Sequence, residues 1–131
     1  GGIILTVGEF DLLANATANF YANVTDPKAS IISTFNYEDG IVRCYVLAVN
    51  IFYDGPSPPD GIFDEFLAIP ALDQDISTRS FLSLILTAPS NATTGVHLAV
   101  RRGYFDTVSL YEITPSIMTA VVNETQVCIK Y

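Results

Sequence analysis

Residues 26–70 read DPKASIISTFNYEDGIVRCYVLAVNIFYDGPSPPDGIFDEFLAIP, and this stretch decides the fold. Two β-rich runs, Ser30–Tyr37 and Ile41–Tyr53, flank the short loop Glu38–Gly40, and Asp-Gly in such a loop is typical of a β-hairpin. The second run is apolar almost throughout, which predicts a strand buried on both faces. A small antiparallel domain usually covers one face of its sheet. We therefore expect this sheet to face something that the chain does not contain.

A three-residue turn would set a register in which Tyr37 faces Ile41, and this register sorts the hairpin side chains into two faces. One face is bulky, aromatic and partly polar, as an interface with a ligand or another domain would be. It carries Ile31, Ser33, Phe35, Tyr37, Arg43 and Tyr45. The other face is smaller and mostly apolar, which favours packing beneath helices. It carries Ile32, Thr34, Asn36, Val42, Cys44, Val46 and Ala48.

Upstream of the hairpin, a strand at Gly1–Val7 precedes a helix. Apolar residues recur at spacings of three and four, which predicts an inward stripe. The helix should end at Asp26-Pro27, because the residue before proline disfavours the α region. The predicted stripe consists of Phe10, Leu13, Thr17, Phe20, Tyr21 and Val24.

Downstream of the hairpin, the sequence predicts an irregular crossover over residues 54–61 and then a short helical turn. Further helices and a strand follow, and the resulting order indicates an α+β fold, with an antiparallel sheet and helices packed on one face. The later elements are a turn with Phe63, Phe66 and Leu67 inward, a helix at Ser77–Ala88 built on Phe81, Leu82, Ile85 and Leu86, a strand at Phe105–Ile113, and a helix capped by Thr114 with Pro115 in its first turn.

The composition indicates one domain over residues 1–131 and excludes several functions. Half of the residues are hydrophobic, and the formal net charge is −8 with six basic residues. A nucleic-acid interface needs clustered Lys and Arg, so we expect no nucleic-acid partner and no binding to anionic membranes. Neither end carries a clear start or stop signal, so we expect the chain to be part of a larger protein.

Few residues could carry chemistry on their own. His97 is the single histidine, so a multi-ligand metal site is implausible and we assign no catalytic residue. Cys44 and Cys128 could form a disulfide, but the sequence alone does not show whether they are close in space. Asp73-Gln74-Asp75 has the start of a calcium-loop pattern without the rest of it, so we expect no metal there.

Four Asn-x-Ser/Thr sequons occur, at Asn15, Asn23, Asn91 and Asn123. Three of them fall on the predicted outer faces of helices and one on a predicted loop, where a glycan is tolerated. This placement predicts a secreted, extracellular glycoprotein.

Two runs, DPKASII (Asp26–Ile32) and FDEFLAIPAL (Phe63–Leu72), together with the Gly1-Gly2 start, carry a specific resemblance. They resemble the substrate domain of fungal FAD-linked oxidoreductases of the berberine bridge enzyme-like type, in the vanillyl-alcohol oxidase / p-cresol methylhydroxylase superfamily. The order of elements resembles that domain over nearly the whole chain.

The resemblance implies the substrate-binding domain of a secreted FAD-dependent oxidoreductase that oxidises a small organic substrate by hydride transfer to flavin. FAD would be bound mainly by another domain of the same protein, which is absent from this chain, and the chain alone would be inactive. The residues facing flavin and substrate would be Phe35, Tyr37, Arg43 and Tyr45. The alternative is a self-contained, secreted, glycosylated binding or structural domain without catalysis.

Overall fold

The computed structural model describes residues 1–39, 43–87 and 107–127, and for residues 36–39, 43–46, 85, 87, 122 and 125–127 it describes the backbone alone. Contacts divide the chain into two compact units, Gly1–Ile76 with Glu112–Tyr131, and Ser77–Tyr111. The first unit contains strands β1 (Gly2–Leu5), β2 (Ala29–Asp39), β3 (Arg43–Tyr53) and β4 (Asp73–Asp75), a 3₁₀ turn (Val7–Glu9), and helices α1 (Phe10–Asn23), α2 (Asp64–Leu67) and α4 (Pro115–Val127); the second contains α3 (Phe81–Thr87).

Within the described residues, the four strands form one antiparallel sheet in the order β2-β3-β1-β4. The predicted α+β fold is confirmed. The sequence did not predict β4, because Asp is depleted in strands and the run Asp73-Gln74-Asp75 has no apolar alternation. The backbone of β1 supplies the pairing instead, with Gly2 opposite Asp75 and Ile4 opposite Asp73.

The hairpin is confirmed, but its predicted register was wrong. Tyr37 pairs with Tyr45 rather than with Ile41, and Asp39 pairs with Arg43. The partner of each residue therefore lies four positions further along β3 than predicted. Because this shift is even, it keeps the predicted division of the side chains between the two faces. The ladder continues into the predicted turn, as far as Asp39 paired with Arg43.

The prediction of which face of the sheet the helices cover was also wrong. Helix α1 covers the face that carries Ser33 and Phe35, where Phe10 packs edge-on against Phe35 with ring centroids 5.6 Å apart. On the same face, the hydroxyl of Thr17 lies 2.8 Å from that of Ser33. The larger side chains therefore form the helix-covered face. The core beneath α1 also includes Ile3, Leu5, Leu13, Leu47, Val49 and Ile51.

The segment FDEFLAIP closes one side of this core. Phe20 of α1 stacks on Phe63 and meets Phe66 edge-on, with ring centroids 5.9 Å apart in each pair. Phe66 is 1% exposed and Ile69 is buried, but Leu67 is 40% exposed. The prediction that Phe63 and Phe66 face inward is confirmed, and the same prediction for Leu67 was wrong.

The segment DPKAS is held by the carboxylate of Asp26. One oxygen accepts the backbone N–H of Lys28 at 3.0 Å, and the other accepts the hydroxyl of Tyr53 at 3.2 Å. The backbone N–H of Asp54 donates to the carbonyl of Lys28 at 2.9 Å. Burial, followed by the hydrogen bond and the charge of Asp26, raises the pKa of Tyr53 above its usual value. These contacts fasten the start of β2 to the end of β3.

Helix α4 begins as predicted. The hydroxyl of Thr114 accepts the backbone N–H of Ile117 at 3.3 Å, and Pro115 is the first helical residue. Met118 is buried, whereas Val121 is 42% exposed. The helix contacts α1 and β2.

In the second unit, α3 is confirmed with shorter bounds than predicted. Three of its four predicted inner residues, Phe81, Leu82 and Leu86, are exposed, and the side chain of Ile85 lies outside the described part. The described part of the predicted strand Phe105–Ile113 is irregular, so that prediction was wrong for residues 107–113; residues 105 and 106 lie outside the described part.

Candidate functional site

The second face of the sheet is a candidate functional surface in the described part of the chain. Its apolar side chains are only partly covered: Ile32 is 65% exposed, Ile4 40% and Phe52 39%. Thr34, Ala48 and Asn50 are half-buried. We call these six residues, together with Gly2, the open face. It combines apolar contact area with one hydroxyl and one amide that can form hydrogen bonds.

The register arranges the open face as two rows that run across all four strands. In one row Thr34 pairs with Ala48, Ala48 with Ile4, and Ile4 with Asp73. Directly paired residues of an antiparallel sheet lie on the same face with their Cβ atoms about 5 Å apart. The rows therefore bring residues from three distant parts of the sequence onto one surface.

The second row runs from Ile32 through Asn50 and Gly2 to Asp75. Gly2 leaves this row low at its centre. A Cβ atom added to Gly2 would lie 3.3 Å from Oδ1 of Asn50, which is a tight contact. Glycine in a strand often marks a place where another group approaches the backbone closely. The open face is therefore low at Gly2, carries apolar side chains at Ile4 and Ile32, and is bordered by the carboxylates of β4.

One of the four predicted substrate-facing residues, Phe35, has its side chain on the other side of the sheet. Phe35 lies beneath α1, in contact with Phe10. Tyr37 pairs with Tyr45 in the part of the hairpin that continues beyond the last β1 pair, Leu5 with Leu47. The side chains of Tyr37, Arg43 and Tyr45 lie outside the described part, and the substrate-facing role of all four residues stays a prediction.

Sequence reasoning missed the open face because it used side-chain size to choose the covered side. The hydroxyl of Thr17, in the predicted stripe of α1, donates to the carbonyl of Leu13 and also lies against the hydroxyl of Ser33, which alternates with Phe35. Thr34 offers a hydroxyl on the opposite face of the sheet, so the sequence alone left both arrangements open.

A second concave surface follows the crossover. A cleft of about 400 Å³ is lined by Pro58, Pro59, Asp60, Gly61, Ile62, Phe63, Asp64 and Leu67. Its lining comes from one short stretch of chain and contains two carboxylates and no basic side chain. Such a lining has no group that could neutralise a phosphate.

The remaining candidate residues are the sequon asparagines, the histidine and the two cysteines. The Asn15, Asn23 and Asn123 side chains are exposed on α1 and α4, and Asn91 lies outside the described residues. His97, Cys128 and the side chain of Cys44 also lie outside them, so the pairing of the cysteines stays open. Among the described residues, no group of three or more His, Cys, Asp or Glu side chains could hold a metal ion.

No helix in residues 1–39, 43–87 and 107–127 has the length and apolar character needed to cross a membrane.

Comparison with known proteins relates the chain to a flavin enzyme. An uncharacterized FAD-linked oxidoreductase of Arthroderma benhamiae is 34% identical to it over 86 residues. The aligned stretch covers 66% of this chain and 16% of the relative. No family model matches the chain, and no solved structure matches it. The sequence is therefore related to that of an FAD-linked oxidoreductase, over a small part of that protein's length.

Proposed function

We propose that this chain is a substrate-domain segment of a secreted FAD-dependent oxidoreductase of the berberine bridge enzyme-like type. The relationship to an FAD-linked oxidoreductase supports the general class. The runs Asp26–Ile32 and Phe63–Leu72 support the finer assignment by resemblance. The observation that carries the proposal is a sheet with one face packed under α1 and α2 and an opposite face that leaves Ile4, Ile32 and Phe52 exposed.

In this proposal the open face forms part of the wall of a substrate pocket and closes against a flavin-binding domain of the same protein. Ile4, Ile32 and Phe52 would exclude water from the bound substrate. Thr34 and Asn50 would orient it through hydrogen bonds. These are the tasks that the protein performs in a cofactor enzyme. The geometry favours this face over the one that carries Phe35, because α1 already occupies the other side.

The residues of the open face fit one part of FAD and not another. Apolar side chains and one amide suit a planar ring system and a small organic substrate. The diphosphate needs positive charge or a glycine-rich turn at a helix start, whereas the open face ends at the carboxylates of Asp73 and Asp75. We therefore assign the binding of the FAD phosphates to another domain. When bound by that domain, FAD would supply the hydride acceptor for oxidation of a substrate carbon, with oxygen as the final oxidant.

The proposal is tested by placing a charge on the open face of the flavin-loaded protein. Ile32→Glu should lower kcat/KM at least tenfold, because a carboxylate would be buried against the substrate or the flavin domain. Leu12→Glu is the matched control: Leu12 is 52% exposed on α1, away from the open face. In the isolated chain each variant should change the free energy of unfolding by less than about 0.5 kcal/mol.

Equal kinetic constants for the two variants would refute the assignment of the open face. The alternative, a self-contained glycosylated binding domain, predicts instead that the protein never acquires flavin absorbance when it is purified with excess FAD.

A further inference from the structure

Two N-glycosylation sequons begin on helix α1, Asn15-Ala16-Thr17 and Asn23-Val24-Thr25, and they differ in the accessibility of their threonine. Asn15 and Asn23 are both exposed. The motif requires Ser or Thr at its third position as well as asparagine at its first. A transferase must therefore reach a hydroxyl in addition to the amide that it modifies.

In the first sequon the folded protein hides that hydroxyl. Thr17 is 5% exposed, and its hydroxyl donates to the carbonyl of Leu13 at 2.7 Å. The same oxygen lies 2.8 Å from the hydroxyl of Ser33 on β2. Residues two positions apart on a helix point about 200° apart, so Asn15 and Thr17 lie on opposite sides of α1. An enzyme that reaches Asn15 cannot reach Thr17 while α1 lies on the sheet.

In the second sequon both groups are accessible. Asn23 is the last residue of α1, and Val24 has an extended backbone with φ −89° and ψ 113°. Thr25 is exposed. The tripeptide therefore leaves the helix, with its amide and its hydroxyl both at the surface. Its amide nitrogen donates to the carbonyl of Asn19 at 3.0 Å, an exposed contact that solvent can replace.

We infer that Asn23 is an N-glycosylation site that stays open in the folded protein, whereas Asn15 can be modified only before α1 docks on the sheet. The inference does not depend on oxidoreductase activity, but it rests on the secretion that is part of the proposed function. The glycan at Asn15 would be added during synthesis, before folding is complete. The glycan at Asn23 could be added before or after folding. Both asparagines lie away from the sheet, so neither glycan would obstruct the open face.

The test separates folding from modification. The whole protein is produced without glycans, folded, and incubated with a eukaryotic oligosaccharyltransferase and its lipid-linked oligosaccharide. Mass spectrometry then gives the occupancy of each asparagine. We expect occupancy at Asn15 to be less than a tenth of that at Asn23. In a parallel reaction on the urea-unfolded chain, diluted to a concentration that the enzyme tolerates, the two occupancies should come within about twofold of each other.

Two variants sharpen the test. Leu13→Ala loosens the contact of α1 with the core and should raise occupancy at Asn15 severalfold without changing Asn23. Thr25→Ala removes the second sequon and should abolish modification at Asn23 alone. Equal occupancy of the two asparagines in the folded protein would overturn the inference, and so would an unmodified Asn23 under conditions in which the unfolded chain is modified.

Discussion

Replacing Phe66 by alanine should destabilise the chain by about 3–5 kcal/mol, the usual cost of removing a buried phenylalanine. Phe66 is 1% exposed and meets the ring of Phe20 edge-on at 5.9 Å. An aromatic pair of this kind contributes about 0.5–1.5 kcal/mol beyond the area that it buries, which favours the upper half of the range. The free energy of unfolding of an ordinary domain is about 5–15 kcal/mol, so this one substitution would remove a large share of the stability.

The neighbouring residue provides the control. Leu67 is 40% exposed on the same turn, so Leu67→Ala should cost about 1 kcal/mol. Urea unfolding followed by far-ultraviolet circular dichroism measures both values, and the slope against urea shows whether the unfolded states are comparable. If the two variants lost equal stability, FDEFLAIP would not be the anchor of the core that its burial indicates, and our explanation of this segment would fail.

Two further predictions concern polar contacts of α1 and β3. Thr17→Val and Ser33→Ala should each lower the free energy of unfolding by about 1 kcal/mol. A double-mutant cycle should give a coupling energy of about 0.5–1.5 kcal/mol between the two residues, and a value near zero would show that the two hydroxyls act independently. Because the pKa of Tyr53 is raised in the folded state, its contribution to stability is complete below the unfolded pKa of about 10 and is lost as the pH rises through the folded value. Unfolding measured between about pH 8 and 11 should show this loss, and Tyr53→Phe should reduce it; an unchanged pH profile in Tyr53→Phe would contradict the assignment.

Local sequence signals predicted most of the elements correctly. The outward positions of Asn15 and Asn23 follow from helical periodicity, and both residues are exposed. The start of α4 follows from Thr114 and Pro115, whose capping roles depend on neighbouring backbone groups alone. These predictions succeed because each uses physics that acts over a few residues.

The errors arose where distant segments decide the structure. The register of β2 and β3 differs by four positions from the one predicted by a short Asp-Gly turn, and the ladder continues as far as Asp39 paired with Arg43. Strand β4 exists because β1 offers an edge to pair with, which the composition of Asp73–Asp75 does not reveal. The choice of covered face depends on where Phe10 meets the sheet, and helical periodicity contains no information on that contact.

The acidic strand at the β4 edge has a consequence for how copies of the protein meet. An edge strand is a template for pairing between molecules, and short, charged edges resist it. Strand β4 is three residues long and contains two exposed carboxylates. If two copies paired there antiparallel, four carboxylates would be held within one short ladder. At neutral pH this edge therefore repels its own duplicate, while the apolar open face beside it remains available to a different partner.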